Sequence, residues 1–168
     1  MKKLLLGLLA IGLTTQFYAQ VVEEGMLPEV EVRATNYKYL NSVDNTAAAV
    51  PVKLLQDKVA KFDIKSTEFY EDENDLYRVY FYIPDGKIVA AYDRNGKILY
   101  TIEKFKDVAL PLSVTEAIAE KFPGWKISKD VYRINYDHKE GAVHRYKVVL
   151  DNGVETIRVK MDDKGTFL

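Results

Sequence analysis

The 168-residue chain contains no cysteine. Disulfide bonds, thiolate nucleophiles and zinc–thiolate sites are therefore excluded together, because all three need the cysteine sulfur. A chain without disulfides must be stabilised by packing alone, and its 12 tyrosines and 7 phenylalanines indicate how that packing is achieved.

Histidine is scarce too, with only His138 and His144 in the chain. Nucleotidyl transfer needs a glycine-rich or paired-histidine phosphate site where a strand leads into a helix, and the sequence offers neither. We expect His144 to pack partly against a sheet and His138 to be solvated. The two imidazoles then form no transition-metal site.

Acidic residues fall mainly in loops and turns, not as the opposed carboxylate pair that glycoside hydrolysis requires. Residues 93–96 (Asp-Arg-Asn-Gly) are explained as a hairpin turn, because a calcium loop needs a bidentate Glu at its twelfth position. The sequence leaves open weak calcium binding by the 71–75 loop, through Glu71, Asp72, Glu73 and Asp75. We predict no catalytic residue, no cofactor and no resident metal ion, and hence a protein that is not an enzyme.

Long apolar runs are absent as well. The run at residues 4–13 is too short to cross a hydrocarbon core of about 30 Å as a helix. It follows Lys2 and Lys3 and precedes Ala19, which is the pattern of a cleaved signal peptide over residues 1–19. We therefore expect a periplasmic or secreted protein with no membrane span after cleavage. The formal charge of −1 gives no general attraction to nucleic acid, so we expect no nucleic-acid partner. We also expect the protein to be a monomer.

The same motif order occurs twice. Residues 49–52 (Ala-Val-Pro-Val) return as 109–112 (Ala-Leu-Pro-Leu), and each is followed by a helical pattern ending in Lys-Phe. Residues 78–86 return as 145–153, and the Asp-x-x-Gly turn at 93–96 returns as 162–165. This order predicts two tandem units. The expected segments are a signal peptide at 1–19, a leader at 20–48 with a short strand at 29–34, unit 1 at 49–108 and unit 2 at 109–168.

Each unit is predicted to begin with a helix. Pro51 suits a first helical turn, and the first helix has an apolar face made by Val52, Leu55, Val59 and Phe62. The apolar face of the second helix is predicted to comprise Leu112, Ala117, Ile118 and Phe122. Residues 41–48 are interpreted as a linker.

Strand patterns follow each helix, at 64–70, 77–83, 87–92 and 97–103 in unit 1 and at 125–136, 143–150 and 154–161 in unit 2. The pairs at 85–86 and 95–96 favour tight hairpins, because Asp-Gly and Asn-Gly tolerate positive φ. The offset between the copies grows from 60 residues at the prolines to 67 at Gly153, which places an insertion near 137–141.

Alternation in these strands separates two faces. The core face is predicted to include Tyr77, Phe81, Ile88, Tyr146 and Ile157. Helices on one face of an antiparallel sheet define an α+β fold, here two tandem helix-plus-antiparallel-strands units that form one sheet.

Two tandem helix-then-strands units behind a signal peptide, each with an Asp-x-x-Gly hairpin near its end, resemble the PepSY-like family of exported bacterial proteins. This family is also described as β-lactamase-inhibitor-like, and the resemblance covers about residues 51–168. It implies a concave sheet that can hold another protein, and related domains occur as inhibitory propeptides. It supplies no catalytic residues.

The opposite face is predicted to carry tyrosines and cations. Tyrosine and arginine are frequent interface anchors, so we predict that this face binds a protein partner, as an inhibitor or modulator. The predicted partner-binding residues are Arg78, Tyr80, Tyr82, Arg145, Lys147, Arg158 and Lys160. The alternative is a periplasmic sensor that holds a small ligand or peptide between the two units.

Overall fold

The structure is a computed structural model that describes residues 36–44 and 48–168. The predicted signal peptide at 1–19 and the predicted strand at 29–34 lie outside the described residues. No helix in the described ranges is both long and apolar enough to span a membrane.

Three α-helices and six strands make up the described chain. In order they are α1 (Tyr37–Val43), α2 (Val50–Lys61), a 3-10 helix (Ile64–Ser66), β1 (Leu76–Ile83), β2 (Gly86–Asp93), β3 (Ile98–Lys106), α3 (Leu112–Lys121), β4 (Lys126–Asp137), β5 (Gly141–Asp151) and β6 (Thr156–Met161). The strands form one antiparallel sheet in the order β1-β2-β3-β4-β5-β6. Buried side chains of all three helices join one core with the inward residues of the sheet. The predicted α+β fold with one antiparallel sheet is confirmed.

Helix α2 follows its predicted pattern. Pro51 lies in the first turn, and Val52, Leu55 and Val59 are buried. Phe62 ends the helix and packs edge-on against Phe81, with ring centroids 5.2 Å apart. Helix and sheet are thus joined by interlocking aliphatic and aromatic side chains.

Helix α3 packs against the core through three of its four predicted residues, Ala117, Ile118 and Phe122, and Leu112 is the exception. Val114 and Ile118 are buried, whereas Leu112 is 69% exposed. Leu112 is the first helical residue and points away from the sheet, so apolarity alone misplaced it.

The predicted strand at 64–70 is wrong. Residues 64–66 form a 3-10 helix, and the Asp63 side chain accepts a hydrogen bond from the Lys65 amide at 3.0 Å. Thr67 Oγ1 donates to the Ile64 carbonyl at 2.6 Å. Short polar side chains here satisfy the backbone locally and so compete with strand pairing.

Helix α1 occupies part of the predicted linker, because residues 41–43 are helical. Asn36 is buried before this helix and donates from Nδ2 to the Gly96 carbonyl at 3.1 Å. Its Oδ1 accepts from the Ile98 amide at 2.7 Å. Such long-range bonds order a segment whose own sequence pattern is weak.

The β4–β5 connection contains no inserted loop, since Asp137 pairs directly with Gly141. Only residues 138–140 lie between the two strands. The two Asp-x-x-Gly turns do bond alike: Asp93 Oδ1 accepts from the amides of residues 95 and 97, and Asp162 Oδ1 from those of residues 164 and 166. Because a 3-10 helix precedes β1 where β4 precedes β5, the tandem-unit description stays a prediction.

Gly86 has a different role from the predicted one. Positive φ occurs at Gly96, with 79°, but not at Gly86. Ile83 pairs with Gly86, so the turn consists of Pro84 and Asp85. A Cβ on Gly86 would lie 2.3 Å from Phe105 Cδ1, so glycine is needed for space and not for backbone conformation.

A carboxyl group lies inside the core. Glu103 is 1% exposed and pairs across the sheet with Ile88 and Ile134. Its Oε1 accepts from Tyr39 at 2.8 Å and from Thr101 at 2.9 Å, and its Oε2 accepts from Gln56 Nε2 at 2.9 Å. Burial raises the pKa of Glu103 to about 7, although these three hydrogen bonds act in the opposite direction.

Protein stability is therefore expected to fall as pH rises. The folded-state pKa of Glu103 lies above its ordinary 4.5, so the stability is present below pH 4.5 and is lost as pH rises through about 7. The loss should be a few kcal/mol, at about 1.4 kcal/mol per pH unit of difference. Urea unfolding from pH 4.5 to 8 should show this slope for the wild type and a much flatter profile for Glu103→Gln.

A control variant separates the effect of Glu103 from that of a second buried carboxyl group, Asp130. Burial also raises the pKa of Asp130, to about 6, so Asp130→Asn should flatten only the lower part of the profile. An unchanged slope in Glu103→Gln would contradict the assignment.

Candidate functional site

The sheet face opposite the helices is open, and the predicted site residues lie on it. Strand alternation directs Arg78, Tyr80 and Tyr82 of β1 outward, and the two tyrosines are 51% and 65% exposed. Arg145, Lys147, Arg158 and Lys160 are likewise exposed on the same face of β5 and β6.

The structure does not bring these residues into one cluster. Strand β1 forms one edge of the sheet and β6 the other, with β2, β3 and β4 between β1 and β5. At about 4.8 Å per strand, β1 and β5 are roughly 19 Å apart. The predicted residues therefore mark the two ends of a broad surface.

Cations that the sequence prediction missed connect these ends. Lys87 of β2 pairs with Lys104 of β3, Lys104 with Arg133 of β4, and Arg133 with Arg145 of β5. We call Lys87, Lys104, Arg133 and Arg145 the cation row. Tyr82 pairs with Lys87 and so extends the row to the β1 edge.

A second line of side chains runs beside the cation row. Tyr80 pairs with Val89, Val89 with Ile102, Ile102 with Asn135 and Asn135 with Val143. Ile102 is 55% exposed and Val143 51%. We call Tyr80, Val89, Ile102 and Val143 the apolar row, which lies two residues, or about 7 Å, along the strands from the cation row.

Away from its turns, the other charged side chains of this face are all positive. Further cations are Lys106 and Lys129, together with Arg78, Lys147, Arg158 and Lys160. The acids are Asp93, Asp137 and Asp151, each of which accepts hydrogen bonds from amides of its own turn. Within residues 36–44 and 48–168, none of these cations has a carboxylate oxygen within 4.0 Å. The face is thus strongly positive although the whole chain carries −1.

The β1 edge has its own geometry. The rings of Tyr80 and Tyr82 lie nearly parallel, 9° apart, with centroids separated by 6.4 Å. Arg78 Nη2 donates to the hydroxyl of Tyr100 at 3.2 Å, and this bond raises the pKa of the guanidinium group above its usual value. The edge therefore presents flat aromatic area next to a fixed, permanent charge.

Predicted strand boundaries explain why the centre of the face was missed. The predicted strand at 97–103 ended at residue 103, whereas β3 continues to Lys106. Lys104 was therefore left outside the sheet. Arg133 was inside a predicted strand, and its alternation with the buried Tyr132 and Ile134 was the available signal.

The two histidines lie apart in separate environments. His144 Nδ1 lies 2.7 Å from the Tyr132 hydroxyl and its ring stacks on that tyrosine, which places it on the core side. His138 is 25% exposed, not solvated as expected, and its Nδ1 lies 3.3 Å from the Leu99 carbonyl. Among the described residues, which include 71–75, no three His, Asp or Glu side chains converge as metal ligands do.

A cavity lies at one end of the sheet. It has a volume of about 660 Å³ and a mainly apolar lining from α2, the β1–β2 turn and the β3–α3 connection. Leu54, Ile83, Pro84 and Val108 line it, and its charged lining residues are two cations, Lys58 and Lys106, and two acids, Asp85 and Asp107. Its size is within the range of small-ligand sites.

Comparison with protein-family models, curated proteins and solved structures finds no match to this chain. The resemblance to the PepSY-like family therefore stays a prediction from sequence pattern.

The cation row should reduce the stability of the sheet, because directly opposed like charges destabilise a strand pair by about 0.2–1 kcal/mol. Lys104→Glu places a carboxylate between Lys87 and Arg133. We expect its free energy of unfolding to rise by about 1 kcal/mol at low salt and the gain to shrink in about 0.5 M salt, where charges are screened. Urea unfolding at both salt concentrations measures this.

Two variants control for loss of the lysine stem and for net charge. Lys104→Gln should show a smaller gain, and Lys65→Glu, in the 3-10 helix on the core side, should show none. A lower stability than wild type for both Lys104 variants at low salt would refute the repulsion.

Proposed function

We propose that this chain is an exported, non-enzymatic binding domain that engages another protein through the open face of its sheet, as an inhibitor or modulator. The observation that carries the proposal is the exposed aromatic, aliphatic and cationic face opposite a fully formed core. Export is supported by the sequence pattern of residues 1–19, and the PepSY-like resemblance agrees with a protein-binding sheet.

The composition of the face supports a protein partner. Interface anchors are enriched in tyrosine and arginine, which bury large areas with few rotatable bonds. Tyr80, Tyr82 and Ile102 are more than half exposed on one side of the molecule. Regular strands hold these side chains in place, so little ordering entropy is lost on binding.

The test is affinity capture from extracts of the native host, followed by affinity measurement with the purified partner. Tyr80→Ala/Tyr82→Ala should weaken binding about tenfold to a hundredfold, as expected for buried aromatic anchors. Tyr37→Ala is the matched control, because Tyr37 is 65% exposed like Tyr82 but lies on α1. Equal affinity of the double variant and wild type, with intact folding, would refute the proposal.

The cavity favours a second candidate function, a sensor that binds a small apolar ligand. Its lining by Leu54, Ile83 and Val108 suits a ligand with an apolar chain. All of its lining residues except Ala109 belong to the predicted unit 1, so the cavity does not lie between the two units, where the alternative prediction placed a ligand.

Laurate is a suitable probe for this cavity. At a hundred times its dissociation constant, a ligand specific for the folded state stabilises it by about 2.7 kcal/mol, which raises the melting temperature by several degrees. Leu54→Gln should abolish this shift, whereas Tyr80→Ala, on the open face and outside the cavity lining, should retain it. No shift in the wild-type protein would reject the second candidate.

A further inference from the structure

We infer that the partner surface recognised by the open face is an acidic amphipathic helix, whose carboxylates lie on the cation row and whose apolar side chains lie on the apolar row. This inference rests on the proposed function and specifies the chemistry of the partner.

The charge of the cation row is not compensated by ion pairs within the described residues. Lys87, Lys104, Arg133 and Arg145 are directly opposed on consecutive strands. The acids of the same face are bound to turn amides at its margins. A row of like charges costs stability in the free protein, and a partner with carboxylates removes that cost while it gains charge-assisted hydrogen bonds.

The cation row and the apolar row lie side by side on the open face. A purely electrostatic site would not need Ile102 and Val143 exposed beside the cations. The two rows run across the sheet about 7 Å apart, so the complementary ligand has an acidic stripe adjacent to an apolar stripe. Acidic amphipathic polypeptides have this arrangement, whereas a uniformly charged polymer does not.

The spacing of the cations in the row matches the spacing of carboxylates along one side of a helix. Neighbouring cations in the row follow the strand separation of about 4.8 Å, and the row spans roughly 14 Å. Carboxylates three and four residues apart on a helix lie about 5–6 Å apart, so roughly ten helical residues cover the row. Same-side residues of an extended strand repeat at almost 7 Å and lose register with the row.

Nucleic acid fits this face less well. Single strands bind through stacking of bases on aromatic rings spread along a basic groove. Here the exposed aromatic pair, Tyr80 and Tyr82, is confined to the β1 edge, and the centre of the apolar row is aliphatic, with Val89 and Ile102.

The experiment uses a labelled synthetic helix of about 15 residues, with glutamates three and four residues apart on one stripe and leucines on the adjacent stripe. Fluorescence anisotropy should show binding at about 50 mM salt that weakens at least tenfold in about 300 mM salt. Lys104→Glu and Ile102→Ala should each weaken binding tenfold or more. Lys65→Glu, which makes the same charge change on the core side, should bind within twofold of wild type.

Competing ligands and the native partner distinguish recognition of an acidic amphipathic helix from unspecific charge attraction. A scrambled peptide of the same composition, oligo-dT or anionic phospholipid vesicles that bind as tightly as the helix would overturn the inference in favour of unspecific charge. Lys104→Gln, which removes the positive charge without introducing a negative one, should also weaken binding of the helical peptide at least threefold. If the native partner depends on Tyr80 and Tyr82 but is unaffected by Lys104→Glu and by salt, the acidic helix is refuted while the proposed function stands.

Discussion

The buried carboxyl group of Glu103 is the constraint on which the helix side of the fold depends. It accepts hydrogen bonds from Tyr39 of α1, Gln56 of α2 and Thr101 of β3, and thus joins three elements at one point. An acid in this apolar core would be costly without donors, and removal of any one donor leaves a buried acceptor unsatisfied. The network therefore positions α1 and α2 on the sheet more specifically than apolar contacts alone.

Packing the three described helices on one face leaves the other face of the sheet uncovered by the rest of residues 36–44 and 48–168. Antiparallel sheets tolerate this when the outer residues are polar, and here the outer residues are predominantly cations and tyrosines. The two faces of the sheet therefore have different roles. Aliphatic, tyrosine and Glu103 contacts on the inner face hold the core together, and changes of charge on the outer face act on stability through repulsion between its cations.

Sequence pattern predicted the elements whose periodicity is strong and missed those that depend on distant partners. Alternation in β1 correctly placed Tyr80 and Tyr82 outward, because that signal is contained within one strand. Helix α1 was missed because its order depends on bonds from Asn36 to the β2–β3 turn. The cation row was missed because it is a property of register across four strands, and no single strand displays it. Register follows from the turns and the core together, which local periodicity does not specify.

The cation row is best understood as a local conflict between stability and recognition. A sheet selected for stability alone would alternate charges across strands, since opposed cations repel. Within the described residues no carboxylate relieves this repulsion, whereas the acids nearby are all used in turns. Departures from local rules of this kind concentrate where a protein meets its ligand. The same repulsion lowers the cost of binding, because an acidic partner replaces an unfavourable field with a favourable one and need not first break existing ion pairs. Such a face gains affinity because binding relieves the repulsion between the cations of the free protein. Its selectivity comes from the apolar row beside the cation row.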